Sequence, residues 1–205
     1  WKVISNTYSI EGKVEKKDQR KMGFILKGIG HFFEETKPIS TYVFAFAAGD
    51  FEDFTEKSEV DAVAELKKEG KVKSDSEATF IPLDDLREKL GNRIFVRKSQ
   101  LEKFKPHERE VFRLNREGVK YLESYFDYKF PFPKYDLVLI PEFPFGGMEH
   151  AGATFLREAS IIFPSEPTKN DYISRATLIF HEAAHQWFGD TVTMKWFDDL
   201  WLKEG

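Results

Sequence analysis

Two histidines and a glutamate stand close together in the segment HEAAHQWFGD, residues 181–190. Their neighbours are mainly apolar, so these polar side chains need partners on an otherwise apolar helix. On such a helix His181 and His185 project from one face, about one turn apart. Two imidazole nitrogens at this spacing can bind one Zn²⁺, and Glu182 can reach a water molecule on the same ion.

A catalytic zinc site needs a third protein ligand and an open position. Glu204 supplies the candidate, because eighteen residues separate it from His185 and it lies on a second helical pattern. Two neutral imidazoles and one carboxylate leave the site net positive, which favours ionisation of a bound water. We therefore predict that His181, His185 and Glu204 bind one Zn²⁺. The alternative is that both histidines are core residues hydrogen-bonded to the backbone.

The segment GGMEH, residues 146–150, is the second motif that indicates chemistry. It follows a predicted strand, and its two consecutive glycines allow another backbone to approach closely. An extended peptide can add to such an edge through main-chain hydrogen bonds. A carboxylate at Glu149 would then face the free ammonium group of that peptide. The predicted substrate-binding residues are Gly146, Gly147, Met148, Glu149 and His150. The alternative is an ordinary Gly-Gly turn beside a surface glutamate.

Composition narrows the class of protein. The chain has 205 residues, of which 41% are hydrophobic and 16% aromatic, as expected for a globular protein. Its net charge is −4 and no basic stripe is present, so we expect no nucleic-acid partner. The absence of cysteine excludes disulfides, cysteine–zinc sites and thiol nucleophiles. No apolar run approaches the ~18 residues of a membrane-spanning helix.

Apolar periodicity and breaker residues predict the elements that position the two motifs. The predicted strands lie at about 41–51, 92–100, 136–143 and 153–163. The predicted helices lie at about 58–70, 82–91, 106–128 and 171–188, with a further helical pattern at the end of the chain. Ser58 is the predicted N-cap of the first helix, and Gly70 the residue just beyond its C-cap.

HEAAHQWFGD and WFDDLWLKEG together closely resemble the HExxH-x18-E segment of the aminopeptidase N and leukotriene hydrolase family, which are gluzincin zinc enzymes. The resemblance implies that His181, His185 and Glu204 are the metal ligands and that Glu182 is the general base. STYVFAFAAGDFE resembles the last strand of the family's N-terminal β-domain. FPFPKYDLVLIPEFPFGGMEH resembles the approach to its exopeptidase motif, in which Glu149 binds the substrate ammonium.

The resemblance implies an α+β fold, in which the end of an N-terminal β-domain precedes the first part of a thermolysin-like metallopeptidase domain. The expected division is 1–52 for the β-domain, 53–91 for a charged insertion and 92–205 for the catalytic part. The insertion is either a solvated surface segment or a partner-binding one. The implied function is a zinc aminopeptidase acting on peptides with a free N-terminus. The alternatives are a zinc hydrolase of the same scaffold acting on a non-peptide substrate such as an epoxide, and an inert binding or scaffold protein.

Three residues depart from the family pattern: His150, Asp190 and Lys203 stand where asparagine is usual. None is expected to contact a metal ligand, but His150 adds a titratable group beside the amine site.

The sequence begins at Trp1 and stops at Gly205 within a helical pattern, so a fragment of a longer protein is expected. The family's transition-state tyrosine would lie beyond Gly205. This chain alone is therefore expected to be inactive.

Overall fold

The computed structural model describes residues 1–10, 31–72, 85 and 89–204. Its main sheet has five strands: β5 (Phe51–Thr55), β6 (Arg93–Arg97), β7 (Asp136–Ile140), β8 (Gly147–Met148) and β9 (Ala153–Arg157). Their order in the sheet is β5–β6–β7–β9–β8. The pairs β6–β7 and β7–β9 are parallel, whereas β5–β6 and β9–β8 are antiparallel.

Two smaller antiparallel pairs come from the beginning of the chain. Their strands are β1 (Lys2–Ser5), β2 (Ser9–Ile10), β3 (Phe32–Phe33) and β4 (Phe46–Gly49). β1 pairs with β4, and β2 pairs with β3. The mixed helix and strand content agrees with the predicted α+β class.

The helices are α1 (Glu59–Lys68), α2 (Leu101–Phe126), α3 (Glu158–Ile161), α4 (Lys169–His185) and α5 (Trp201–Glu204). The long helices α2 and α4 pack against each other and share the larger apolar core with strands of the main sheet. A second apolar cluster lies on the other side of the sheet and joins it to β1 and to the segment leading into β4. No helix in the described part of the chain is both long enough and apolar enough to cross a membrane.

Most predicted elements are present, with altered ends. The first predicted helix is confirmed as α1, whose N-cap Ser58 accepts a hydrogen bond from the Asp61 N–H at 3.2 Å. Within it Ala62 and Leu66 are fully buried, so one face of α1 packs against the protein. The helix predicted at 82–91 lies largely outside the described residues.

The predicted start of α2 at Pro106 is wrong, because the helix begins at Leu101 and contains the proline. Pro106 cannot donate to the Glu102 carbonyl, but Glu102 is exposed and water can replace that bond. The strand predicted at 136–143 ends at Ile140, because Pro141 cannot continue the hydrogen-bonded ladder. The strand predicted at 153–163 is wrong beyond Arg157, where α3 begins.

The strand predicted at 41–51 is also wrong as a single element. Residues 41–43 form a 3-10 turn, β4 follows, and the chain enters the main sheet only at Phe51. Phe46 is 64% exposed whereas Ala47 is buried, so this segment is covered on one face and not on both. β5 also runs across the expected domain boundary at residue 52 and pairs with β6.

Candidate active site

Helix α4 carries the three residues of the first motif. It begins in a capping box, in which the Asp171 N–H donates to Thr168 Oγ1 and the Thr168 N–H donates to an Asp171 oxygen at 2.7 Å. Its apolar side buries Ile179 and Ala183 in the larger core. The predicted helix at 171–188 is therefore confirmed, with both ends about two or three residues earlier.

The turn after α4 fixes the ring of His185. His185 Nδ1 lies 3.1 Å from the Phe188 carbonyl oxygen. A carbonyl can only accept, so Nδ1 carries the proton and the lone pair of Nε2 points towards His181. Gly189 makes this turn possible with φ 143°, and a Cβ at this position would lie 3.2 Å from His185 Nδ1.

The structure brings His181, His185 and Glu204 together. The two Nε2 atoms lie 3.0 Å apart, and Glu204 Oε2 lies 3.4 Å from His181 Nε2 and 3.6 Å from His185 Nε2. Glu204 comes from α5, so the group spans two helices, as the sequence predicted. Tetrahedral zinc with bonds of roughly 2.0–2.2 Å spaces its donor atoms about 3.3–3.6 Å apart. The two distances to Glu204 fall in this range and the 3.0 Å between the imidazole nitrogens is shorter, so the three donor atoms lie close enough together to hold one zinc ion.

The charge around this group also suits a cation. Four carboxyl groups of the described residues lie near enough to interact electrostatically with one another or with the Lys203 ammonium. They belong to Glu149, Glu182, Asp190 and Glu204. Glu182 Oε2 and both carboxylate oxygens of Asp190 are buried without a hydrogen-bond partner. Unpaired buried carboxylates are costly unless protonated or opposed by positive charge.

Glu182 is 4% exposed, and its carboxylate lies directly against β8. A Cβ on Gly147 would be 2.4 Å from Glu182 Oε1, so only glycine fits this placement of the carboxylate. Burial, with the neighbouring charges of Glu149 and Glu204, raises the pKa of Glu182 to about 8. A raised carboxyl pKa is typical of groups that exchange protons near neutral pH.

The second motif lies at an edge of the main sheet. β8 pairs with β9 on one side only, and its other side has no strand among the described residues. This is the open edge that the predicted peptide addition requires.

Gln186, fully buried just after α4, holds the end of the GGMEH motif in place. Its Nε2 donates to the Glu149 carbonyl at 3.1 Å, and its Oε1 accepts from the Gly152 N–H at 2.8 Å.

The Glu149 side chain is ion-paired with Lys203, and both side chains are almost fully buried. Lys203 Nζ also lies 3.0 Å from Glu204 Oε1 and 5.0 Å from the centre of the Tyr42 ring. The expectation that Lys203 makes no contact with a ligand residue is therefore wrong. Burial opposes the charge of Lys203, but Glu149 and Glu204 outweigh it and raise its pKa. One ammonium group thus joins Glu149 of the GGMEH motif to Glu204, the predicted third metal ligand.

His150 and Asp190 are the other two departures from the family pattern. The His150 ring packs edge-on against Phe155 at 4.5 Å, and its Nδ1 is buried without a partner. Burial lowers the pKa of His150 to about 4, against the opposing effect of Glu149. Burial, and to a smaller extent the negative charge of Glu149, raises the pKa of Asp190 to about 9. The Asp190 N–H donates to the His185 carbonyl at 2.9 Å, so this residue contacts a ligand residue through its backbone.

Sequence reasoning missed three residues that shape the site: Tyr42, Gln186 and the ion-pairing role of Lys203. Gln186 follows HEAAH directly and precedes Trp187 and Phe188, and a polar residue just before two aromatic ones was a usable signal. Tyr42 gave no signal, because only the fold brings this region to α5. Its hydroxyl donates to the Gly189 carbonyl at 3.1 Å.

Comparison with known proteins gives a consistent result. Residues 112–205 match the model of the peptidase family M1 domain. Aminopeptidase N of Streptomyces lividans is 48% identical over 94 residues, which are 46% of this chain and 11% of that protein. Leucyl aminopeptidase of Saccharolobus solfataricus is 32% identical over 203 residues, or 99% of this chain and 20% of that protein. Endoplasmic reticulum aminopeptidase 2 of Bos taurus is 48% identical over 88 residues, or 42% of this chain and 9% of that protein. The chain thus spans about a tenth to a fifth of the length of these relatives.

Proposed function

Because the chain belongs to the gluzincin aminopeptidase family, with its peptidase family M1 match at residues 112–205, we propose that the full-length protein is a zinc-dependent aminopeptidase. It removes N-terminal amino acids from peptides. The observation that carries this proposal is the close group formed by His181, His185 and Glu204, placed beside the open edge of β8. The proposal includes the division into a β-domain at 1–52, an insertion at 53–91 and a thermolysin-like part at 92–205.

The two imidazole Nε2 atoms and the Glu204 carboxylate would hold Zn²⁺. When bound, the ion supplies Lewis acidity, which polarises the scissile carbonyl and acidifies a water molecule. The hydrogen bond from His185 Nδ1 to the Phe188 carbonyl orients the ring for this role and sets its tautomer. With the ring proton on Nδ1, the lone pair of His185 Nε2 is free to bind the ion.

Glu182 is the proposed general base. It takes the proton of the attacking water and passes it to the amine that leaves when the peptide bond breaks. Its carboxylate is buried next to Gly147, at the edge where the peptide backbone would lie. Burial and the neighbouring carboxylates raise the pKa of this carboxyl group, which strengthens it as a base and lets it return the proton to the leaving amine.

Glu149 is the proposed ligand of the substrate ammonium. It stands just after β8, so a peptide aligned antiparallel to this strand brings its N-terminus to the carboxylate. A buried carboxylate at this position selects a free amine over an acetylated one, because the amide carries no charge to pair with it. His150 borders the same subsite.

The test is metal content and turnover in the full-length protein, measured with a leucyl chromogenic anilide and a leucyl peptide. We expect one zinc per chain, and loss of stoichiometric metal in His181→Ala and in His185→Ala. Glu182→Gln is expected to retain zinc and lose turnover by two orders of magnitude or more. The Glu102→Gln variant, at the exposed start of α2, is the control. Normal turnover in Glu182→Gln would exclude Glu182 as the base, and turnover of an epoxide without any peptide hydrolysis would favour the alternative hydrolase.

A further inference from the structure

Arg175, a buried arginine of α4, takes no part in the proposed hydrolysis. Arg175 is 2% exposed, yet no carboxylate of the described residues pairs with it. Its Nη1 donates to the Ile161 carbonyl at 3.2 Å and lies 3.1 Å from His107 Nδ1, and its Nε has no partner. The nearby carboxylate of Glu110 is bound in a two-pronged contact to Arg113. A buried guanidinium without an anion is costly, so its presence here points to a ligand.

Arg175 lines a cavity of about 480 Å³ between α3, the loop after it and α4. The apolar part of the wall includes Phe163, Pro164, Pro167 and Leu178. The Arg175 guanidinium lies over the Phe163 ring, 4.5 Å from its centre. One acidic residue, Asp171, also borders the cavity, but one of its carboxylate oxygens accepts hydrogen bonds from the Thr168 N–H and Oγ1 at 2.7 Å each. Its charge is thus held at the helix N-terminus, which stabilises it there.

Gly146 connects this cavity to the peptide-binding edge. It lines the cavity and stands immediately before β8. A peptide whose amine is at Glu149 runs antiparallel to β8 and so passes Gly147 and then Gly146 on its way downstream. On α4, Arg175 and Glu182 share one face, since they are seven residues apart. At 1.5 Å per residue they are separated by about 10 Å, which an extended peptide spans with roughly three residues.

We propose that the Arg175 cavity binds the C-terminal carboxylate of short peptide substrates, two or three residues beyond the scissile bond. This inference rests on the proposed aminopeptidase function and names its substrate class: tri- and tetrapeptides with a free C-terminus. The planar guanidinium matches a carboxylate in two-pronged geometry, and the apolar wall receives the last side chain.

The experiment compares Leu-Gly-Gly and Leu-Gly-Gly-Gly with their C-terminal amides in the full-length protein. A leucyl anilide, which carries nothing that reaches the cavity, serves as the internal control. In the unaltered protein, kcat/KM is expected to be about tenfold to a hundredfold higher for the free acids, mainly through KM, the scale of a charge-assisted hydrogen bond. Arg175→Gln is expected to remove this preference and to leave anilide turnover unchanged.

A second variant covers the case in which Arg175→Gln fails to fold. Ser174 lines the cavity from an exposed position, so Ser174→Trp fills it without disturbing the core. This variant is also expected to lose the preference for free acids and to keep anilide turnover. Equal kcat/KM for acids and amides, with normal anilide turnover, would overturn the carboxylate site while the aminopeptidase function stands. Failure to hydrolyse the anilide and every peptide would overturn both.

Discussion

Gln186→Met is the most direct test of how the end of α4 holds the proposed substrate-binding motif at residues 146–150. Gln186 is fully buried and is the acceptor for the Gly152 N–H and a donor to the Glu149 carbonyl. Methionine has a similar volume but makes neither bond, so two buried backbone groups lose their partners. Each unsatisfied buried group costs about 1–3 kcal/mol, which gives a destabilisation of about 2–6 kcal/mol.

Urea unfolding of the chain, followed by circular dichroism, measures this loss directly. The matched control is Thr191→Val, because the Thr191 hydroxyl donates to the Gln186 carbonyl at 2.8 Å from an exposed position. It is expected to cost no more than about 1.5 kcal/mol. In the full-length protein, Gln186→Met should also raise KM for free peptides, since Glu149 loses its backbone anchor. Stability equal to that of the control variant would refute the view that Gln186 supports the motif.

Three further predictions concern charged groups. Glu149→Gln in the full-length protein should lower kcat/KM for peptides with a free N-terminus by the equivalent of about 2–5 kcal/mol, and N-acetylated peptides should remain poor substrates. Equal cleavage of free and acetylated peptides by the unaltered enzyme would contradict the amine site. Burial lowers the pKa of His150 to about 4, so its protonation should produce no step in KM between pH 6 and 8, and a step that His150→Asn abolishes would disprove this. Burial would raise the pKa of Asp136, but Lys134 and Arg93 outweigh it and hold the pKa below its usual value. Asp136 therefore stabilises the fold above its unfolded pKa, and this contribution is lost as pH falls through the lower folded pKa. Asp136→Asn should cost about 3–5 kcal/mol in urea unfolding at pH 7, and a cost that does not shrink in strong acid would contradict the sign.

The elements and the donor group were predictable from the sequence because their signals are local or repeat at fixed spacing. The positions of His181 and His185 on one helical face follow from the helix period alone. Glu204 was found by its distance along the chain, and the fold brings it within 3.6 Å of both imidazoles. The capped ends of α1 likewise follow from Ser58 and Gly70, each of which affects only the few residues beside it in the chain.

What the sequence did not predict depends on contacts between distant segments. The segment at 41–51 has the apolar pattern of a doubly covered strand, but its neighbour β1 covers one face only. Tyr42 lies far in sequence from Lys203, so no periodicity could place its ring 5.0 Å from that ammonium. Arg175 reads as an ordinary polar residue on a helix, and only the packing of α3 against α4 shows that it is buried.

The ion pair between Lys203 and Glu149 links the proposed amine site to the proposed metal site. A buried carboxylate that is to receive a substrate ammonium is costly to bury without a positive charge beside it. Lys203 supplies a positive charge at Glu149, and its second contact is to Glu204 at 3.0 Å. The same ammonium therefore pairs with both carboxylates, one proposed for the substrate and one for the metal. Asparagine, usual at this position in the family that the sequence resembles, carries no charge and could form neither of these ion pairs.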